Sequence, residues 1–321
     1  MKLAVVLVHG IGNNRKNWAS EIIPAIEHRL KSKLKNILDK EAPLSMDEVV
    51  VISRVYWEGI FKDRERELKD KFNGFPKPIK AGGPWWDKLL KWVWRLFKSF
   101  QNEIITDYIG DIIGYLHKDA QIAVYRKIYD ILKATHTRLN QEKTPLTFIA
   151  HSLGTVITSD YIYEQNSPTS DLSGPKIMKD HFILQNLFTV GSPISLFSLR
   201  FGGPEMFTSP VSVETTSGRW VNIFDEDDPV GMPLKVLNEA YDKVVHKDVL
   251  INSGVYGISH TSYFKKSSKT LDIICQKLAI DWIALNNKLP QDKIDKLYQE
   301  YDQTVGVTIL NASPSNGYLK L

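Results

Sequence analysis

The sequence predicts an α/β fold in which helices cover both faces of a mostly parallel central sheet. Strand-like and helix-like segments alternate along the 321 residues, and the strand-like segments are rich in Val, Ile, Leu and Phe. Strands that are apolar on both sides are typical of parallel sheets, because helices bury both faces of such a sheet. No internal repeat or low-complexity segment competes with this interpretation.

The individual strands and helices follow from local patterns. Segments rich in β-branched and aromatic residues predict strands at 3–8, 49–56, 146–150, 182–190, 220–224 and 248–251. Apolar residues at helical spacing, such as Ile122, Tyr125 and Ile128, predict helices between the strands. The predicted helices lie at 18–38, 119–141, 153–164, 234–241 and 269–286.

The chain, 1–321, is interpreted as one α/β domain with two additions. Residues 57–118 separate the second strand from the helix that should follow it, and they are too long for an ordinary connection. They are charged, then Pro/Gly-rich and finally aromatic, and they are expected to form an inserted helical cap or lid. Residues 287–321 are expected to form a C-terminal extension with a short helical piece and an edge strand at VGVTIL.

Composition argues against several classes of protein. The formal net charge of the chain is +4, whereas nucleic-acid-binding proteins usually carry a larger positive charge from clustered Lys and Arg. No nucleic-acid partner is therefore expected. No uninterrupted apolar run approaches the ~20 residues of a membrane span. The N-terminal apolar run ends in His-Gly without a cleavage site and is interpreted as a buried strand. A lone cysteine, Cys275, cannot form an internal disulfide, and a cytoplasmic location is expected.

Residues 147–155, TFIAHSLGT, place a serine where a strand meets a helix. Small residues stand two positions before and two positions after Ser152, as a sharp turn between strand and helix requires. The residues flanking the serine are Ala150, His151, Leu153 and Gly154. Such a turn presents the hydroxyl as a nucleophile at the carboxyl edge of the sheet. A serine that only caps the following helix is the structural alternative.

The first strand ends in VHGIG, a sequence that suits an oxyanion loop because acyl transfer needs backbone N–H groups facing the developing negative oxygen. The N–H groups of Ile11 and Leu153 are the predicted donors. The supporting residues in the loop are His9, Gly10 and Gly12. A dinucleotide-binding loop is disfavoured, because Arg15 occupies the position of the third glycine and no acidic residue ends a second strand at the required distance.

Downstream segments supply the partners of a nucleophilic serine. The strand WVNIF runs into an acidic stretch, so Asp225, Asp227 and Asp228 all lie just beyond its carboxyl end, where a loop that caps a helix is the alternative reading. His260 lies in the loop between the last strand and the last long helix. A carboxylate orients the histidine of such a site, and the histidine takes the proton of the serine. The chain order Ser152, Asp228, His260 is the order of hydrolases with this strand–serine–helix turn.

These motifs together resemble those of the α/β-hydrolase superfamily and, within it, of the lipases and esterases. VHGIG and AHSLG are similar to the oxyanion-loop and nucleophile motifs of small bacterial lipases, although Ala150 replaces the commoner glycine and Thr155 stands where a second glycine is usual. LFTVGSP and the later W-x-N-x-x-D-x-x-D-P-V are similar to the sixth and seventh strands of lipase-like members. The resemblance covers 1–56 and 119–286, and it favours Asp228 over the alternative acid Asp225.

The resemblance implies a serine hydrolase that cleaves carboxylic esters, with lipase-like or phospholipase-like substrates and an acyl-enzyme on Ser152. His260 and Asp228 would complete a catalytic triad, and no metal or organic cofactor is expected. An acyltransferase or a thioesterase would use the same residues with another acceptor or leaving group. A non-catalytic, membrane-associated protein of the same fold is the alternative from another class.

Residues 84–100, PWWDKLLKWVWRLFKSF, predict an amphipathic helix. One side is a basic stripe, and aromatic and apolar residues populate the other. The residues that mark this candidate lid or membrane face are Lys88, Lys91, Trp92, Arg95 and Lys98. The pattern is typical of a helix that lies peripherally on an anionic membrane. A cap helix that packs its aromatic face on the protein body is the alternative, and either arrangement would favour an apolar acyl group.

Overall fold

The central sheet of the computed structural model has six strands, all parallel, in the order β2-β1-β3-β4-β5-β6. The structure describes residues 1–10, 18–39, 45–57, 60, 112, 114–140, 143–170, 172–252, 259–265 and 268–306. Within these ranges the strands are β1 (Leu3–Val8), β2 (Val50–Val55), β3 (Thr144–His151), β4 (Phe182–Val190), β5 (Arg219–Phe224) and β6 (Lys247–Leu250). The predicted α/β class and parallel sheet are therefore confirmed.

The α-helices of the described residues alternate with these strands. They are α1 (Ile22–Leu38), α2 (Lys118–Leu139), α3 (Leu153–Asn166), α4 (Ile177–His181), α5 (Ile194–Phe197), α6 (Glu239–Val244), α7 (Lys269–Leu285) and α8 (Gln291–Gly306). Short 3-10 turns at Ser198–Phe201 and Pro204–Met206 follow α5, and another at Ser259–Thr261 precedes α7.

The two faces of the sheet build two separate hydrophobic cores. Along β1 alternate side chains enter opposite cores: Leu3, Val5 and Leu7 enter one, whereas Ala4, Val6 and Val8 enter the other. On the first face α1 contributes a stripe with four-residue spacing, Ile26, Leu30 and Leu34, beside α7 and α8. On the second face α2, α3 and α4 supply the cover. Burying each such aliphatic side chain contributes about 1.5–3 kcal/mol, so both faces need their helices.

The strand order reverses direction between β1 and β3. The connection from β1 leads through α1 to β2 on one side, whereas the connection from β3 leads through α3 to β4 on the other. Neighbouring strands whose connections leave in opposite directions open a gap between their ends, and ligands of open α/β sheets bind there. His9, Gly10 and Ser152 follow these two strands.

Some predicted boundaries are corrected. The helix expected at 234–241 begins later, as α6 at Glu239–Val244. The Asp248 carboxylate accepts hydrogen bonds from the backbone N–H groups of Leu234 and Lys235 at 2.8–3.0 Å, and these bonds hold that segment in a turn. Asn238 then caps the first turn of α6. Val305 and Gly306, which were expected to begin an edge strand, instead end α8.

The ends of the predicted insertion contain residues of the core. The buried Trp57 donates its indole N–H to the His9 carbonyl oxygen at 3.0 Å. The buried Tyr115 donates its hydroxyl to Asp160 Oδ2 at 2.9 Å, an oxygen that also accepts Arg200 at 3.1 Å. Residues 61–111, which include the candidate lid face with Lys88, Lys91, Trp92, Arg95 and Lys98, lie outside the described residues.

A buried polar cluster connects α7 and α8 to the sheet. The Asp281 carboxylate accepts the Asn186 amide at 2.7 Å, the Tyr298 hydroxyl at 2.9 Å and the Lys277 ammonium. Lys277 is fully buried, and this burial lowers the pKa of its ammonium against the opposing attraction of Asp281. Because a buried charge needs a partner, Asp281 is what makes a cation tolerable at this position.

We expect Asp281→Ala to lower the free energy of unfolding by about 3–5 kcal/mol, because it leaves the Lys277 charge buried without its carboxylate. Urea unfolding measures the loss. Glu239→Ala is the matched control, since Glu239 and Lys243 form an ion pair of the same spacing with side chains 83% and 69% exposed. That variant should unfold at the wild-type urea concentration. Equal effects of the two variants would contradict a role for the buried pair.

Candidate active site

Ser152 lies on a strained turn between β3 and α3. Its backbone has φ 55° and ψ −133°, a conformation that residues with a side chain rarely adopt. Such a conformation costs about 1–3 kcal/mol and persists only where the surroundings enforce it. Here the Ser152 N–H donates to the Val190 carbonyl oxygen of β4 at 3.0 Å, which fixes the turn against the neighbouring strand.

Two glycines allow the end of β1 to approach this turn. A Cβ atom on Gly10 would lie 2.2 Å from Ser152 Cβ, and one on Gly154 would lie 2.4 Å from the His9 carbonyl oxygen. Neither position can hold a larger side chain without moving the backbone. The small residues around the serine therefore have a geometric cause, and Ala150 is itself fully buried.

The structure brings together the three side chains that the sequence singled out. His260 Nε2 lies 2.8 Å from Ser152 Oγ, and His260 Nδ1 lies 2.9 Å from Asp228 Oδ2. All three residues are buried, although they come from the ends of β3, β5 and the loop after β6. Because Asp228 can only accept when ionised, Nδ1 carries the hydrogen and Nε2 offers its lone pair to the serine hydroxyl.

Asp228 is an ionised carboxylate despite its burial. Burial alone raises its pKa, but the hydrogen bond and charge of His260, the Tyr263 hydroxyl and the Val230 N–H together lower that pKa to about 2. Tyr263 donates to Oδ2 at 2.7 Å, and the Val230 backbone donates to Oδ1 at 2.9 Å. The carboxylate is thus held in one orientation toward His260.

The other acids of the same loop have different places. Asp225 is also buried, and its Oδ1 accepts the backbone N–H of Asp227 at 2.8 Å. The Asp225 carbonyl oxygen accepts the backbone N–H of Asp228 at 3.1 Å. Asp225 therefore shapes the turn that presents Asp228, and it is Asp228 that contacts the His260 ring.

His9 sits in an aromatic environment beside the serine. Its ring stacks on Trp57 with centroids 5.0 Å apart, and Trp18 and Tyr56 pack within 5.6 Å. Burial lowers the His9 pKa to about 4, while a hydrogen bond from Nδ1 to the Gly10 carbonyl oxygen opposes the shift. A neutral His9 therefore supports the backbone of the loop that begins at Gly10.

Tyr263 belongs to the site but was not singled out from the sequence, and His151, expected as a supporting residue of the serine motif, makes a contact that the sequence did not predict. His151 Nε2 donates to the His260 carbonyl oxygen at 2.8 Å, and the two rings lie 4.9 Å apart. Burial and the neighbouring His260 lower the pKa of His151 to about 3. The available signals were position alone: His151 precedes the serine, and Tyr263 follows His260 by three residues.

The predicted oxyanion donors are described only in part. Leu153 is the first residue of α3, and the N–H groups of a first helical turn have no partner within the helix. This places the Leu153 N–H beside the serine. Ile11 and Gly12 lie outside the described residues.

No group of three or more His, Cys, Asp or Glu side chains in the described part of the chain could hold a metal ion. No helix in that part of the chain has both the length and the apolar content that a membrane crossing requires.

Comparison with models of protein families gives no match to this chain, and comparison with curated protein sequences gives no significant match. An assignment of function therefore depends on the fold and on the geometry of the site itself.

The lowered pKa values of His9 and His151 lead us to expect a loss of stability in mild acid. Their pKa values fall from the ordinary 6.5 to about 4 for His9 and about 3 for His151, so the unfolded chain binds protons first as the pH drops. Their stabilising contribution is complete above pH 6.5 and is lost as the pH falls toward 4. The stabilising contribution of the Asp228 carboxylate is lost at lower pH, as the pH falls from the ordinary aspartate pKa of 3.8 to about 2.

Urea unfolding at about pH 7 and about pH 5 measures this loss, and His151→Gln should reduce it by about 1–2 kcal/mol because one titrating group is removed. Glutamine keeps an N–H that can donate to the His260 carbonyl. The same loss in the variant and the wild type would show that His151 does not cause it.

Proposed function

We propose that the chain is a serine hydrolase of the α/β-hydrolase class that cleaves carboxylic esters through an acyl-enzyme. The observation that carries the proposal is the pair of hydrogen bonds that connects Ser152 Oγ through the His260 ring to Asp228 Oδ2. The strained turn at the serine supports it, and so does the position of that turn where the strand order reverses between β1 and β3.

The first half of the reaction follows from the tautomer of His260. Nε2 accepts the Ser152 proton while Oγ attacks the carbonyl carbon of the ester, and Asp228 stabilises the imidazolium that forms. The imidazolium then gives this proton to the leaving alcohol as the carbon–oxygen bond breaks. Ser152 is left as an ester of the acyl group.

The second half uses the same residues with water in place of the alcohol. His260 takes a proton from water, the hydroxide oxygen attacks the acyl carbon, and Ser152 regains its proton as the acid leaves. In both halves backbone N–H groups must stabilise the negative oxygen of the tetrahedral intermediate. Each such donor lowers the activation barrier by about 2.7–4 kcal/mol. We assign one donor to Leu153 and the second to Ile11.

Within this proposal, lipase-like esters are favoured over small polar ones because VHGIG and AHSLG resemble the motifs of small bacterial lipases.

An acyltransferase or a thioesterase would share the first half of this reaction, because they differ in the acceptor or leaving group and not in the nucleophile. Product analysis with added alcohols separates these outcomes. Transfer of the acyl group to an alcohol in preference to water would replace the hydrolase assignment.

We expect a fluorophosphonate probe to modify Ser152, because such probes react with a serine whose base and oxyanion donors are in place. Mass spectrometry of the labelled peptide locates the modification. Ser152→Ala should abolish labelling, and Ser159→Ala, which removes a serine from the body of α3, should not. A folded protein that stays unlabelled, also with detergent or vesicles present, would refute the proposal.

We expect Asp228→Asn to lower kcat by about 10²–10⁴-fold, and Ser152→Ala or His260→Ala by about 10⁴-fold or more. The asparagine amide cannot hold His260 in the required tautomer. Asp225→Asn is the matched control, since its side chain accepts a backbone N–H within the turn. Steady-state kinetics on a chromogenic ester of suitable chain length measure all four variants. A larger loss in Asp225→Asn than in Asp228→Asn would reverse the assignment of the acid.

A further inference from the structure

Tyr263 contacts the carboxylate of the site at the atom that His260 uses. Its hydroxyl donates to Asp228 Oδ2 at 2.7 Å, and His260 Nδ1 lies 2.9 Å from the same oxygen. The Val230 N–H occupies the other oxygen, Oδ1. Tyr263 itself is fully buried. Oδ2 is therefore shared between the histidine and a neutral hydroxyl, away from bulk water.

Two glycines leave the space in which this hydroxyl lies. A Cβ atom on Gly231 would be 2.7 Å from Asp228 Oδ2 and 2.9 Å from the Tyr263 hydroxyl. Gly191, which has φ 55°, would place a Cβ 2.8 Å from the Tyr263 ring and 3.0 Å from Oδ2. Both segments thus close around the tyrosine and the carboxylate, so the contact is built into the fold.

We propose that Tyr263 is a positioning residue. Its hydroxyl withdraws negative charge from Asp228 Oδ2, and this reduces the electrostatic stabilisation that the carboxylate gives to protonated His260. The catalytic part of this inference rests on the proposed function. A hydrogen bond to an ionised carboxylate is stronger than one between neutral groups, and each added donor makes the carboxylate less basic. A less basic carboxylate stabilises the imidazolium less, and the imidazolium is the form of His260 that holds the serine proton.

Within the described ranges, the titratable groups that face the carboxylate and the imidazole are His151 at the end of β3, Asp225 after β5 and Tyr263 itself. Burial and Asp228 raise the pKa of Tyr263 above its ordinary value, so it stays a neutral donor. His151 stays neutral down to about pH 3, and it does not change charge where a histidine base operates.

The test is an NMR titration of the His260 imidazole in isotope-labelled wild type and in Tyr263→Phe. We expect the midpoint to move upward by about half a pH unit or more in the variant. Without the hydrogen bond from Tyr263, the Asp228 carboxylate is more basic and stabilises the imidazolium more. The acid limb of the kcat/KM profile should move by the same amount. Tyr161→Phe is the matched control, because that buried hydroxyl has no hydrogen-bond partner among the described residues.

A double-mutant cycle shows whether the effect passes through Asp228. In an Asp228→Asn background, Tyr263→Phe should leave the His260 midpoint unchanged. An unmoved midpoint in folded Tyr263→Phe, or the same upward shift in the Asp228→Asn background, would overturn the proposal. The titration needs no substrate, so a protein without esterase activity would refute the proposed function and still decide the role of Tyr263.

A second measurement covers the case in which Tyr263→Phe does not fold. Replacing tyrosine with 3-fluorotyrosine during expression keeps the hydroxyl in place and makes it a stronger donor, because fluorine acidifies the phenol. The His260 midpoint should then move downward. An upward movement or no movement would overturn the proposal.

Discussion

The close approach of the end of β1 to the Ser152 turn is the constraint on which the site depends. Gly10 lies so near the serine that an added Cβ would be 2.2 Å from Ser152 Cβ, and a Cβ added to Gly154 would be 2.4 Å from the His9 carbonyl oxygen. The serine keeps its unfavourable φ of 55° because strands on both sides of β3 hold it: β1 through this contact, and β4 through the hydrogen bond to Val190. This arrangement aims Oγ at His260 before any ligand binds.

A buried carboxylate then ties together loops that are far apart in sequence. Asp228 receives donors from His260 and Tyr263 in the segment after β6 and from Val230 in its own turn. Removing a carboxylate from water is unfavourable unless its oxygens are satisfied, so these contacts hold the two loops together as well as orienting the histidine. His151 adds a further connection by donating to the His260 carbonyl.

Two hydrophobic cores and one buried polar cluster support the sheet. The cores pack against the two faces of the sheet, and the Lys277–Asp281 cluster connects α7 and α8 to Asn186 in the middle of β4. The cluster therefore supports the sheet away from the carboxyl ends of the strands, where Ser152, His260 and Asp228 lie.

The sequence by itself determined the order of the six strands and of the long helices α1, α2, α3 and α7, because the apolar pattern of a buried strand and the small residues around Ser152 are local signals. The bounds 3–8 and 182–190 agree with β1 and β4, and the serine, the histidine and the acidic loop were all recognised from motifs and chain order. Only the tertiary structure decided which acid faces His260, since Asp225 and Asp228 lie three residues apart in one loop. It also decided the place of Tyr263 and the start of α6, where Asp248 binds a segment more than ten residues before it. Contacts between distant residues follow from how the strands are ordered, and no local pattern records them.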